Sequence, residues 1–313
     1  MIVDLPATTT SQVSKALVKI REEGGAVALG RVLTLVIAAV HGAEEEAIEA
    51  ANDASREHPM RVIVLSRSED PEGEEARLDG QIRVGGDAGA SEVVVLRAYG
   101  AVGGDEEGLV TSLLLPDAPV VVWWPTAHPD NPAKSPLGRI AQRRITDSAA
   151  AENPLESMTT LARTYAPGDT DFSWTRLTLW RAQLAAVLDQ PPYEPVTAVE
   201  VSGAADSAST SLLAAWLGLQ LQVDVALEMS NHSHGSSGIH GVSLTRDSGE
   251  ILLERGQPNQ PTHDISLPRR NLRDCLAEEL RRLDPDDLYG EVLTQGIGHM
   301  DAIAHDVTAS RGK

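Results

Sequence analysis

The sequence predicts an α/β protein built as two similar α/β sandwich domains, mixed sheets covered by helices. Three observations predict it. Pro119 to Trp124 (PVVVWW) is an unbroken apolar run in which Val120, Val122 and Trp124 face one way and Val121 and Trp123 the other. Two apolar faces mark a central strand covered on both sides. The order β-α-β-β-β-α can be read twice, once from Val32 and once from Val196. Finally, 313 residues are enough for two domains, and Gln190-Pro191-Pro192 is the most obvious linker. The expected division is therefore 1–190, 195–295 and a mobile tail over 296–313, where periodicity ends.

The elements follow from spacing and caps. Thr8 to Ser11 offer N-caps for a helix through Val13, Ala16, Leu17 and Ile20, ended by Gly24-Gly25. Val32 to Val40 reads as a buried strand and Ala43 to Glu57 as a helix opening on Glu44, Glu45 and Glu46. Those glutamates suit the positive helix end and already occupy the place an anion would take. No G-x-G-x-x-G follows the strand, which argues against a dinucleotide fold of the usual kind. Strands follow at 61–66, 81–84 and 92–97, the last two joined as a hairpin across GGDAGAS, with a helix over 105–115. After the WW strand come a long loop, a helix over 155–165, and a long helix starting near Asp171 as N-cap. Its stripe is Leu177, Trp180, Leu184, Val187 and Leu188, with Trp174 at its exposed start. The second half reads as a strand over 195–201 and a helix over 207–217, capped by Asp206 and stopped at Gly218. Strands at 223–229, 239–245, 250–254 and 264–267 follow, then helices at 272–283 and 285–293.

Bulk properties exclude several classes. Forty-six acids against twenty-six bases give a formal charge of −20, a field that repels nucleic acid and anionic membrane. Gly42 to Asp79 alone holds twelve acids and four bases, a solvated face. Val32 to Val40 is far short of the ~20 residues that span a bilayer, and MIVDLPATTT has no basic region before an apolar core. The expectation is a cytoplasmic protein. A single cysteine, Cys275, allows no internal disulfide and no cysteine-based zinc site. It shares a helix face with Leu272, Leu276, Leu280 and Leu283, as an inert core residue does.

Motifs for chemistry are sparse. NHSHGSSGIHG carries His232, His234 and His240, but its Gly/Ser context reads better as a hairpin loop than as a metal site. The turn SGAADSAS precedes a helix and could cradle phosphate, except that Asp206 at the cap opposes an anion. No catalytic, cofactor or metal constellation is present. Attention therefore falls on the loop after the WW strand: four prolines (Pro125, Pro129, Pro132, Pro136), then Arg139, Arg143, Arg144, Ile145, Thr146 and Asp147. Loops of this length are usually functional or disordered, and open α/β sheets place sites beyond strand carboxyl ends. Two readings stand. The arginines contact a partner, or they brace a rigid crossover through the chain's own carboxylates, with Asp147 a candidate.

Several segments together resemble one family: LPATTTSQVSKALVKIREEGGAVALGRVLTLVI, VVVWWPTAHPDNPAKSPLGRIAQRRITDSA, DTDFSWTRLTLWRAQLAAVLDQPP, GQPNQ…SLPRR and LAEELRRLDPDDLY. The chain resembles the glucose-6-phosphate dehydrogenase assembly proteins, the OpcA family, of actinobacterial type. The resemblance spans nearly the whole length and implies a non-catalytic cytoplasmic partner. Such a partner binds glucose-6-phosphate dehydrogenase and activates it allosterically by promoting its active oligomer, feeding NADPH production in the pentose phosphate pathway. Cyanobacterial members are associated with thioredoxin-linked control through cysteines, which a lone core Cys275 does not support. The family gives no residue-level interface. Residue type and position place it on Trp123, Trp124, His128, Arg139, Arg143, Arg144, Asp147 and Trp174. The competing reading is an enzyme binding a sugar phosphate or nucleotide, with Arg139, Arg143 and Arg144 as anion clamp.

Overall fold

The computed structural model of the chain describes residues 1–23, 32–68, 71–85, 92–230, 238–255 and 267–297. It contains an eight-stranded and a four-stranded sheet, so the α/β class read from the sequence is the class observed. By contacts the chain divides into two units. One comprises Met1–Asp147, Gly168–Thr170 and Asn271–Pro285, and the other Ser148–Pro167, Asp171–Arg270 and Asp286–Lys313. This division does not fall at the expected Gln190-Pro191-Pro192 linker: the chain passes between the units several times.

The first unit opens with β1 (Ile2–Leu5) and α1 (Thr10–Glu23), then β2 (Leu33–Val40), α2 (Glu44–Ala54), β3 (Met60–Arg67), β4 (Arg77–Val84) and β5 (Glu92–Tyr99). It continues through α3 (Glu106–Thr111), β6 (Val120–Trp123), α4 (Pro136–Arg139) and β7 (Arg143–Thr146). The sheet order is β1-β4-β5-β3-β2-β6-β7, with β8 (Asp169–Asp171) at the far edge. Neighbours among β5, β3, β2, β6 and β7 pair in parallel. Numbered along the chain, those five strands run 3-2-1-4-5, the arrangement of a doubly wound sheet with its switch point between β2 and β6. The missing G-x-G-x-x-G argues against such a fold, yet the topology is present without the motif.

The WW strand behaves as its alternation required. Val120, Val122 and Trp124 join a core with Val13 and Leu17 of α1, Leu109 and Val110 of α3, Leu113 just after that helix, and Val36, Ile63 and Val94 of the sheet. Val121 and Trp123, fully buried, face the other way. The hairpin reading also holds, since β4 and β5 pair antiparallel from Val84↔Glu92 outward. β1 escaped the sequence reading because four residues ending at Pro6 show no periodicity, yet it pairs with β4 antiparallel. β7 escaped because two arginines disguised a strand that pairs with β6 at Val121↔Arg143.

In the second unit, α5 (Pro154–Thr164) is followed by α6 (Phe172–Thr175) and α7 (Thr178–Leu188), two helices where the sequence predicted one. Asp171 caps α6 as expected, its side chain accepting from Ser173 N. Next come β9 (Ala198–Ala204), α8 (Ala208–Leu221), β10 (Val225–Ser230), β11 (Ile239–Arg246) and β12 (Gly249–Glu254). Then α9 (Leu272–Arg281) returns to the first unit, and α10 (Asp287–Glu291) belongs to the second. The cap of α8 is Ser207, not Asp206: the Ser207 hydroxyl accepts from Thr210 N. Nor does Gly218 stop that helix, which runs on to Gln222 in the left-handed region (φ 57°).

The predicted element order β-α-β-β-β-α does occur in both units, but the strands pair differently. In the second sheet, β10-β9-β11-β12, the later strands extend from the first strand of the βαβ unit. In the first sheet they extend from the second. Trp180, Leu184, Leu212, Leu213, Val242, Leu244, Tyr289 and Val292 form the second unit's core. The tail predicted to be mobile lies, from residue 298 on, outside the described residues, as does the strand predicted at 264–267 apart from Leu267.

Candidate functional site

The switch point of the first sheet lies between the carboxyl ends of β2 and β6, where doubly wound folds place their ligands. After β2 the chain runs His41-Gly42-Ala43 into α2. There Glu44, 3% exposed, turns its carboxylate back onto the turn. Its Oε2 accepts from Gly42 N at 2.6 Å and its Oε1 from Arg97 Nε at 2.9 Å. A bound phosphate would need that amide and that charge. The chain supplies its own carboxylate instead, as the glutamate-led helix start implied.

After β6 the loop is ordered by internal bonds. Asn131 accepts from Lys134 N, Ser135 caps α4 by accepting from Gly138 N, and the Ser135 hydroxyl donates to Pro132 O at 2.7 Å. A Cβ on Gly138 would lie 1.7 Å from Pro132 O, so only glycine lets these turns close. The loop is a stiff parallel crossover leading into β7.

Most of the residues expected to meet a partner are interior. Trp123 and Trp124 are 0% and 3% exposed, and Arg143, Arg144 and Asp147 are 4%, 7% and 1%. Arg143 donates to Glu279 Oε2 at 2.5 Å and to Asp284 O at 2.8 Å. Arg144 pairs with Asp169 and donates to Ala141 O. Glu279 and Asp169, far off in sequence, thus brace the crossover from within the chain. Trp174 is not at an exposed helix start: it is 1% exposed, packs 5.9 Å from Tyr289, lies under Arg181 at 3.8 Å and donates Nε1–H to Asp286 at 2.9 Å. The break between α6 and α7 folds it inward.

Two of the expected contact residues reach the surface. His128 is half-buried, with Nδ1 3.1 Å from Pro129 O. Arg139 is exposed and donates to Glu107 of α3 at 3.0 Å. Lys134, which sequence reasoning passed over, is exposed beside them. Its signal was its place among loop prolines.

The other motif in the second unit is also internal. Ser148 donates from N and Oγ to Asp171, both at 2.8 Å, and its Oγ lies 2.9 Å from Ser173 Oγ. The serine–aspartate set is a buried cap with no histidine among these partners. Cys275 is fully buried in α9, as its helical spacing predicted. Among the described residues no cluster of three or more His, Cys, Asp or Glu is placed to hold a metal ion. His232 and His234 lie outside them. No helix among the described residues is long and apolar enough to cross a membrane.

Comparison with known proteins gives two family matches in tandem. The two models are described as the N-terminal domain and the C-terminal domain of the glucose-6-phosphate dehydrogenase subunit. Residues 51–163 match the first and residues 167–293 the second. No curated protein matches the sequence. Among solved structures, myo-inositol dehydrogenase from Lactobacillus casei aligns at 12% identity and TM-score 0.46, covering 85% of this chain and 93% of that one. The 3-ketoreductase KijD10 from Actinomadura kijaniata aligns at 12% identity and TM-score 0.39, over 86% of this chain and 96% of that one.

Proposed function

We propose that this chain, which belongs to the OpcA family of glucose-6-phosphate dehydrogenase assembly proteins, is a non-catalytic partner that binds the dehydrogenase and activates it. The observation that carries the reading is the pair of matches, N-terminal domain then C-terminal domain, running together from residue 51 to residue 293. Activation requires the chain to bind the active dehydrogenase conformation or oligomer better than the inactive one, because only differential affinity shifts such an equilibrium.

The enzyme reading built on Arg139, Arg143 and Arg144 loses its support. Two of those guanidiniums are buried against Glu279 and Asp169 and have no charge to lend a ligand. We place the dehydrogenase contact on the accessible part of the crossover, around His128, Lys134 and Arg139, with the buried tryptophans and arginines holding that surface rigid.

The test is to assay glucose-6-phosphate dehydrogenase activity and molecular mass with and without this protein. Complex formation with raised activity is expected, and no turnover of sugar phosphate by this protein alone. An unchanged mass and rate would end the proposal.

A further inference from the structure

The four-stranded sheet has one covered face and one open face. Strand side chains alternate, and Val199, Val201, Val242, Leu244 and Leu253 turn inward into a core with Leu212 and Leu213 of α8. On the opposite side Glu200, Glu228, Glu250 and Glu254 are all exposed, and Leu252 is 58% exposed. The register sets this face out in rows. Glu228, Ser202, Gly241 and Glu254 lie side by side across β10-β9-β11-β12, and the next row is Ala226, Glu200, Ser243 and Leu252. Thr245 stands beside Glu250 in the third. Each carboxylate therefore rises over a floor of small residues, with only Ala, Ser, Thr or Gly directly across from it.

A solvated second face is ordinary for an antiparallel sheet, but a soluble surface usually mixes both signs of charge. This face carries one sign. Strands β9 to β12 contain a single cation, Arg246, which is 5% exposed and donates to Pro192 O at 3.0 Å. Glu250 accepts from the Ser243 hydroxyl, and among the described residues none of the four glutamates forms an ion pair. In the first unit the exposed acids are matched: Glu45 pairs with Arg83, Asp53 with Arg273 and Glu57 with Arg281. The open sheet is where the chain's negative charge stands unanswered.

That charge decides the occupant. A second copy, face to face, would set the same carboxylates against one another, and like charges across an interface repel. Nucleic acid and anionic membrane are repelled too. A metal ion has no seat, since no cluster of three or more acids converges among the described residues. We propose that this face docks a protein surface rich in lysine and arginine and, resting on the reading above, that the surface belongs to the dehydrogenase. The small floor lets the partner come close to the sheet, Leu252 offers apolar contact beside the carboxylates, and guanidinium forks match carboxylates in pairs. The contact is acidic, distinct in chemistry from the one placed around Lys134 and Arg139.

The test measures dehydrogenase affinity over a range of salt concentrations, with melting temperature, for the full chain and its variants. Parent affinity should fall as salt rises. Glu200→Gln, Glu228→Gln and Glu254→Gln combined should weaken binding at least about tenfold at low salt, chiefly through slower association, and flatten the salt dependence. That variant should melt no lower than the parent, because the positions are exposed and like charges are removed. Glu200→Lys alone, which puts a cation in the middle of the face, should weaken binding more than Glu200→Gln. If the parent binds and the variants match it in affinity and salt dependence, this proposal is overturned and the dehydrogenase reading stands. A loss of binding that tracks a loss of melting temperature overturns it as well. No binding by the parent at any salt concentration ends both.

Discussion

Arg139 and Arg143 stand four residues apart and differ entirely in what holds them. Arg139 is exposed in a pair with Glu107, an arrangement worth about 0–1 kcal/mol. Arg143 is 4% exposed against Glu279, and removing one member of a buried pair leaves the other charge uncompensated, at about 3–5 kcal/mol. Arg143→Ala should therefore lower the denaturation midpoint severely, while Arg139→Ala leaves it nearly unchanged. If the crossover surface is the docking face, Arg139→Ala weakens dehydrogenase binding in a fully folded protein. Denaturant melts and binding measured on the same preparations separate the two. Equal stability of the two variants would show that the buried pair contributes nothing. The sequence displayed these arginines plainly, and their clustering in an acidic chain drew attention to them. It could not display their partners, because Glu279 is 136 residues from Arg143 and Asp169 is 25 from Arg144.

The crossover between β6 and β7 shows what was legible at the level of elements. Alternating apolar faces identified β6 and its two-sided burial, and cap chemistry placed Asp171 correctly. Charge hid β7, since Arg143 and Arg144 read as loop until ion pairs from elsewhere neutralise them. Trp174 was misplaced for a related reason: helical periodicity ran through Arg176, and nothing local announced the break after Thr175. The crossover itself carries a sharp prediction. With Pro132 O 1.7 Å from where a Cβ would stand, Gly138→Ala must push the Pro132–Lys134 turn and α4 apart. Overpacking of this kind costs about 1–3 kcal/mol. Hydrogen exchange should rise across residues 130–142 and stay unchanged in the α1 and α3 core. If the proposed docking surface is right, affinity for the dehydrogenase falls with it. Exchange unchanged over that span would mean the turns are looser than the geometry shows.

For the whole molecule, the decisive feature is how the chain is apportioned between its units. A reading along the sequence cuts at Gln190-Pro191-Pro192, because composition changes there and composition is all that a linker shows. Contacts assign Asn271–Pro285 to the first unit. That segment carries α9, whose Cys275, Leu276 and Leu280 are 0%, 0% and 3% exposed, and whose Glu279 neutralises Arg143. Arg273 and Arg281 of the same helix reach Asp53 and Glu57 at 2.8 Å, at the carboxyl end of α2. A fragment of residues 1–190 would thus expose the apolar surface that α9 covers and leave the Arg143 charge buried without its acid. Each fully buried leucine contributes about 1.5–3 kcal/mol, and orphaning the arginine adds a penalty of similar size or larger. Together these reach the ~5–15 kcal/mol that stabilises a whole domain. The fragment should therefore lack a cooperative thermal transition and bind a hydrophobic dye. The same fragment joined through a flexible linker to residues 271–285 should regain the transition. A sharp melt from residues 1–190 alone, matching that of the joined chain, would show that α9 is dispensable and that the unit closes without it.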